Sequence, residues 1–366
     1  LAIVDRIAMS RPVEAIVSLA NIRANYALAA RLAPDSQVLA VIKANAYGHG
    51  AARVAVALDT ADAFGVASVA EAIVLRDAGI TQPIVLLGGV FEPAEIHEVE
   101  VYGLQTVIHS SAQLEWFLSR KSAARLVIWL KMDIGMHRLG FTPQEYTAAW
   151  QRLSDSGQVQ ELVLMSHFPC ADHGDDTLTK SQVQVFNEGV AGLNGQKSMA
   201  NSAALIRYPE SRYNWVRPGI MLYGANPFPD QNLLGINLEP AMTLRSRLVS
   251  VRELAAGESV GYGQRWRTTV PIRLGTVAVG YGDGYPRHAV DGTPVLVRGK
   301  RCRLVGRVSM DFITVDLSEA PDSRVDDEVI LWGDSLPVEQ VAEFAGTISY
   351  DLLTGVTQRV KYLYSD

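Results

Sequence analysis

The chain has 366 residues, 48% hydrophobic and 20% charged, which excludes a disordered, collagen-like or coiled-coil protein and suits two domains. With 33 basic and 39 acidic residues its formal charge is −6, so no general polyanion-binding surface and no nucleic-acid partner are expected. Cys170 and Cys302 lack disulfide or metal spacing, and no apolar run approaches the about 18 residues of a membrane span. The expectation is a cytoplasmic protein with no membrane partner and no metal. The first ten residues have no basic start and no long apolar middle, so no signal peptide is expected there. Met9-Ser10 reads as a native start, and the residues before it as either expression-derived or packed on the second domain.

From about residue 15 to 225 a short apolar run, a turn and a segment of helical period recur. Val38–Ile42 ends at Lys43, and Phe64–Ala67 runs into Ser68-Val69-Ala70-Glu71, a capping box that predicts a helix start. Leu104–His109 precedes Ser110-Ser111-Ala112-Gln113, and Phe141 precedes Thr142-Pro143-Gln144-Glu145, with proline at the first helical position. Val127–Met132, Leu162–Met165, Ser198-Met199 and Asn214–Val216 bring the strand candidates close to eight. Alternating strands and helices leave a (β/α)₈ barrel or an open doubly wound sheet, and the lack of GxGxxG after an early strand favours the barrel. Beyond about Pro229, Leu244–Val251, Ile272–Val279, Thr293–Val297, Arg303–Val308, Phe312–Leu317 and Glu328–Trp332 predict a β domain of hairpins. Gly299-Lys300 is the expected turn of one of them. The expected division is a barrel over 1–234 and a β-rich domain over 235–366.

Several strand ends carry chemistry. Lys43 stands where an apolar strand opens into the glycine-bearing segment 44–50, so it is either a Schiff-base lysine or a lysine marking where the strand meets water. Lys131 and Arg138 place two cations about one strand end, which implies a ligand anion, a modification that makes Lys131 negative, or pairing with an acid such as Asp133. His167 and Arg217 follow two further strands. Asn201-Ser202 and Gly219-Ile220 lie where barrels frequently bind phosphate. Tyr262 and Tyr281 each sit between glycines, either as half-buried turn residues or as proton carriers.

Val-Ile-Lys-Ala-Asn-Ala-Tyr-Gly-His-Gly at 41–50 resembles the cofactor-lysine signature of the alanine racemases. Lys131–Gly140, Met165–Phe168, Arg217–Gly224, Val260–Gly263, Val305–Asp311 and Thr347–Tyr350 extend the resemblance over both halves. The resemblance implies a pyridoxal 5'-phosphate enzyme joining a (β/α)₈ barrel to a β domain, a homodimer with composite sites, and alanine as substrate. Lys43 would hold the cofactor aldehyde and act as base on one face of the substrate Cα. Tyr262, from the other subunit, would act on the opposite face. Tyr47, Ser202, Gly219, Ile220 and Tyr350 match phosphate-binding positions, Arg217 the donor to the pyridine nitrogen, and His167 its neighbour. Arg138 and the Met310 N–H match contacts to the substrate carboxylate, with Arg138 also near the cofactor phenolate. Tyr281 and Asp311 match the inner entrance, and Lys131 a lysine that is N-carboxylated in many members.

The sequence departs from the family at Gly282, often alanine, and at Lys361, commonly proline, which leaves local geometry open there. D-alanine supply for cell wall and catabolism of L-alanine remain equally compatible with it. The alternatives are a racemase that also takes serine or lysine, a pyridoxal-phosphate decarboxylase of basic amino acids, and a non-catalytic cofactor carrier. Arg217 speaks against the decarboxylase, and Tyr262 against the carrier.

Overall fold

In a computed structural model of the chain, residues 11–228 and 234–366 are described. Leu1–Ser10 and part of the expected boundary, from residue 229 to 233, lie outside them. The described chain divides into two compact units. One comprises Arg23–Leu222 and Asn226–Leu238, and the other gathers the segment before Arg23, Tyr223–Ala225 and Glu239–Asp366.

The first unit is a closed eight-stranded parallel barrel. Its strands are Gln37–Val41, Ala63–Val66, Ile84–Leu86, Gln105–Ile108, Leu126–Lys131, Val159–Met165, Gln196–Ser198 and Trp215–Val216. The first and last pair at Gln37↔Trp215 and Val38↔Val216, which closes the ring. Near-continuous apolar runs are the signature of strands covered on both faces, and Ala63–Val66 and Ile84–Leu86 are buried at every residue. The helix over Pro143–Asp155 begins with the complete capping box expected of Thr142 and Glu145, with proline inside its first turn. At Ser68 and Ser110 only half of that pattern forms. The serine oxygens accept the N–H of Glu71 and Gln113, but Gln113 Oε1 accepts from His109 N at 2.9 Å, and Glu71 also turns elsewhere.

The second unit is an eight-stranded sheet of mostly antiparallel pairs. Met242–Leu254, 13 residues long, pairs with Glu14–Ser18, Ile272–Val277 and Glu328–Trp332. Glu14–Ser18 is therefore a strand of this sheet, lying between Met242–Leu254 and Lys361–Ser365, although it precedes the barrel in sequence. The expected Gly299-Lys300 turn is displaced by one residue. Val297 pairs with Lys300, which leaves Arg298 and Gly299 as the turn, with φ of 52° and 74°. Positive φ at both central residues is the turn whose twist matches the flanking strands.

Candidate active site

A closed parallel barrel brings all its strand carboxyl ends to one rim. Lys43, Lys131, His167, Ser202, Arg217 and Gly219 each stand at or shortly past such an end and so share that rim. The positive charge gathered there shows in Lys43, Lys131 and His167. Lys43 is half-buried, and its amine is held below the usual lysine range by burial and then by Arg138, with Glu71 opposing. Lys131 is buried and pulled down to about 8 by burial, then by Arg217, Arg138 and Lys43, with Asp133 opposing. His167 is driven well below its ordinary value by burial and the same four cations. Asp133, the acid that opposes these cations at Lys131, is held by its own loop. Burial works to raise its pKa, but the N–H groups of Gly135, His137 and Met136 outweigh this and hold the carboxyl below its usual range, and they occupy Oδ1.

Arg217, 4% exposed, is fixed by acceptors that sequence reading does not single out. Its guanidinium donates to Ser198 Oγ at 2.5 Å, Ser166 O at 2.7 Å and Met199 O at 3.1 Å. It also lies 3.3 Å from His167 Nδ1, a contact that calls for the neutral imidazole with its proton on Nε2. Burial lowers Arg217 only to about 10, so it stays charged near neutral pH. A five-donor fork buried at a barrel rim requires several carbonyl or hydroxyl acceptors, and Ser166 next to His167 was the available signal.

Ser202 Oγ accepts from the backbone N–H of Gly219 at 2.9 Å and of Met221 at 3.3 Å, gathering the Gly219–Met221 backbone beside the helix Ser202–Arg207. Asn201 is the N-cap of that helix, its Oδ1 accepting from Ala204 N at 3.0 Å. A Cβ on Gly219 would stand 2.6 Å from the Tyr47 hydroxyl, so the absent side chain is what lets Tyr47 lie against this backbone.

The remaining expected site residues belong to the sheet unit. Tyr262 is 68% exposed at the tip of a hairpin in which Val260 pairs with Trp266, and Val260 is anchored in an apolar cluster with Ile272, Leu274 and Val305. Tyr281 and Met310 are neighbours, since Tyr281 N donates to Ser309 O and Gly282 N to Met310 O. The Met310 side chain is 52% exposed, and Tyr350 lies on the short helix Ser349–Gly355. Asp311 pairs with Arg359, whose hydrogen bond holds its carboxyl below the usual range. Gly282, the departure noted in the sequence, has a local reason. A Cβ there would collide with Arg359 Nη1, so glycine leaves room for Arg359 to reach both Asp283 and Asp311.

The family model for the N-terminal domain of alanine racemase matches residues 17–227, and that for the C-terminal domain matches residues 241–364. The chain belongs to the alanine racemase family. It is accordingly an isomerase, and its barrel and sheet units correspond to the two domains that define that family. An alanine racemase from Chromohalobacter salexigens is 49% identical over 97% of this chain and 98% of its own length. The crystal structure of the biosynthetic alanine racemase from Pseudomonas aeruginosa, also 49% identical, superposes with a TM-score of 0.95 over 97% of this chain and all of that one. A third member, alanine racemase from Bartonella henselae with covalently bound pyridoxal phosphate, is 28% identical with a TM-score of 0.89 over 97% of this chain and 99% of its own.

Proposed function

We propose that this protein interconverts L-alanine and D-alanine with pyridoxal 5'-phosphate held at the barrel rim and one base on each face of the substrate Cα. The observation that carries the reading is Lys43, a strand-end amine whose pKa is lowered by burial and by Arg138, so that more of it is neutral and nucleophilic near neutral pH.

The rim residues fit the cofactor. Four cations, Lys43, Lys131, Arg138 and Arg217, call for anions, and a phosphate and a carboxylate are of that kind. The Gly219 backbone, open to the Tyr47 hydroxyl for want of a Cβ, suits a phosphate. In this reading Lys43 would hold the cofactor at its aldehyde carbon, and Tyr47, Asn201, Ser202, Gly219, Ile220 and Tyr350 would hold its phosphate. Arg217 would face its pyridine nitrogen, with His167 beside Arg217. When bound, pyridoxal phosphate supplies an electron sink that acidifies the substrate Cα–H.

The protein's own groups do the rest. Arg138 and the backbone N–H of Met310 of the partner subunit hold the substrate carboxylate, while Tyr281 and Asp311 narrow the entrance. Lys43 Nζ takes or returns a proton on one face, and the phenol oxygen of Tyr262 of the partner subunit does so on the other. Arg217 donates a hydrogen bond without giving up its proton, which leaves a pyridine nitrogen unprotonated and disfavours transamination and decarboxylation. Lys131, at about 8, offers a neutral amine to carbon dioxide. An N–C bond forms, a proton leaves, and the resulting N-carboxylysine anion orients Arg138.

In this reading the barrel unit carries Lys43 and most of the cofactor contacts, while the sheet unit, to which Glu14–Ser18 and Tyr350 also belong, lends the second base to a neighbour. The active form is thus a homodimer, and exposed Tyr262 and Met310 accord with it. Among the described residues no helix is long and apolar enough to cross a membrane, and Cys170 and Cys302 are free thiols. A cytoplasmic enzyme accords with the thiols.

A chiral assay with L-alanine, L-serine and L-lysine tests the reading. D-alanine is the expected principal product, and products that have lost carbon dioxide would overturn it. Borohydride should fix the cofactor on Lys43, and a label on another lysine would sink that assignment.

A further inference from the structure

Immediately after Lys43 the chain takes an unfavourable path. Ala44, Asn45, Ala46 and Tyr47 have φ of 51°, 53°, 54° and 51°, a turn of left-handed helix built without glycine. Side chains other than glycine, and to a lesser degree asparagine, resist this conformation, so it persists only where its surroundings over-determine it. The far end of the turn is well tied. Gly50 N donates to Asn45 O at 2.9 Å, Ala51 N to Asn45 Oδ1 at 2.9 Å, and His49 Nδ1 lies 3.1 Å from Ala46 O and 3.0 Å from Tyr47 O.

The end next to Lys43 is held by Glu71. Its Oε1 accepts from Ala44 N at 2.8 Å and its Oε2 from Ala67 N at 2.7 Å. Ala67 follows the strand Ala63–Val66 and Ala44 follows Gln37–Val41, so one carboxylate bridges the ends of two neighbouring barrel strands. In a complete capping box this carboxylate would return to the N-cap N–H, as Glu145 does to Thr142 at 3.0 Å. At Ser68 only the hydroxyl half is present, with Glu71 N donating to Ser68 Oγ at 3.4 Å. Glu71 thus reaches to the residue before its N-cap, as Gln113 does, and with its other oxygen also holds the turn that begins beside Lys43.

We propose that Glu71 is a positioning residue for Lys43: it pins the left-handed turn at Ala44 to the neighbouring strand end. The inference rests on the assignment of Lys43 as the reacting lysine. The groups that act on Lys43 are Arg138 and Glu71, and Lys43 in turn acts on Lys131 and His167. Glu71 is the acid opposing burial and Arg138 there. Removing its charge therefore moves the Lys43 titration further down.

The test uses the full-length chain stripped of carbonyl compounds with hydroxylamine. Labelling of Lys43 by acetic anhydride is followed against pH by peptide mass spectrometry. In Glu71→Gln the labelling midpoint should fall by about 0.2–0.7 pH unit, the size of a partly exposed ion pair. In the holoenzyme, kcat for alanine should fall about 10-fold or more with KM little changed, the pattern of a misplaced reacting group. Glu71→Gln combined with Ala44→Gly should regain part of that kcat, because glycine takes positive φ without the tie. An unchanged midpoint overturns the proposal, as does a kcat loss that Ala44→Gly fails to relieve and that tracks a falling Tm. A shifted midpoint with borohydride label on a different lysine upholds the positioning by Glu71 and removes instead the assignment of Lys43.

Discussion

At the scale of single residues, charge and burial pull against each other at the barrel rim. Lys131 is buried among Arg217, Arg138 and Lys43, and its pKa near 8 measures how poorly the fold tolerates it as a cation. Lys131→Met should therefore raise Tm by about 2 °C or more in carbon-dioxide-free buffer, because relief of an uncompensated buried charge is worth kilocalories. The same variant should lose activity, and bicarbonate should raise the Tm of the parent but not of the variant. A Tm for Lys131→Met below that of the parent would show that the ammonium is compensated after all. The gathering of two cations at one strand end was legible in the sequence, with Asp133 as one of the counter-charges it left open. What was not legible is that Asp133, which does oppose the cations at Lys131, has its Oδ1 held by three N–H groups of its own loop. The acceptors of Arg217 were hidden for a related reason. Ser166, Ser198 and Met199 come from two other strand ends, and two of the contacts are to backbone oxygens, which carry no residue signature.

At the scale of elements, identical local patterns meet different surroundings. Thr142 and Glu145 close a complete capping box, whereas Ser68 and Glu71, with the same spacing, do not. The Glu71 carboxylate accepts instead from Ala67 N and from Ala44 N, the latter 27 positions away in the chain. Helix starts were readable from short motifs, but the destination of a long side chain depends on the neighbouring strand. The Gly219 loop shows the same dependence on a remote partner. Gly219→Ala would set a Cβ 2.6 Å from the Tyr47 hydroxyl and force the ring or the loop to move. Pyridoxal phosphate affinity should fall about 10-fold or more, corresponding to roughly 1.4 kcal/mol of lost phosphate contact, as read by absorbance titration of the cofactor-free chain. Unchanged affinity would remove this backbone from the phosphate site.

At the scale of the whole molecule, strand count and apolar patterning made both halves of the fold legible, but not every membership. Glu14–Ser18 reads locally like the start of the barrel, yet its partners are Met242–Leu254 and Lys361–Ser365, more than two hundred residues away. Pairing at that distance leaves no periodic trace. The chain's acid response is also a global property. His167 is held well below its ordinary value by burial and surrounding cations, and His49 is lowered to about 4 by burial. Both histidines therefore bind protons less readily folded than unfolded. Their contribution to stability is complete above about pH 6.5 and is lost as pH falls below it, down to about 4 for His49. Thermal scans from pH 7.5 to 4.5 should show Tm falling from about pH 6.5, and His167→Gln should flatten that fall. A slope identical to the parent's would mean that His167 does not titrate in this range.

The proposed function comes down to one requirement, that a proton leave one face of Cα and return on the other, with Lys43 and Tyr262 of the partner subunit as the proposed bases. The most direct test is exchange of the alanine Cα–H for deuterium in deuterated water, followed separately from each enantiomer, in the parent and in Tyr262→Phe. The account predicts that Tyr262→Phe suppresses exchange from one enantiomer by about 100-fold or more, the usual worth of a positioned base, while exchange from the other persists. Equal loss from both enantiomers would contradict it.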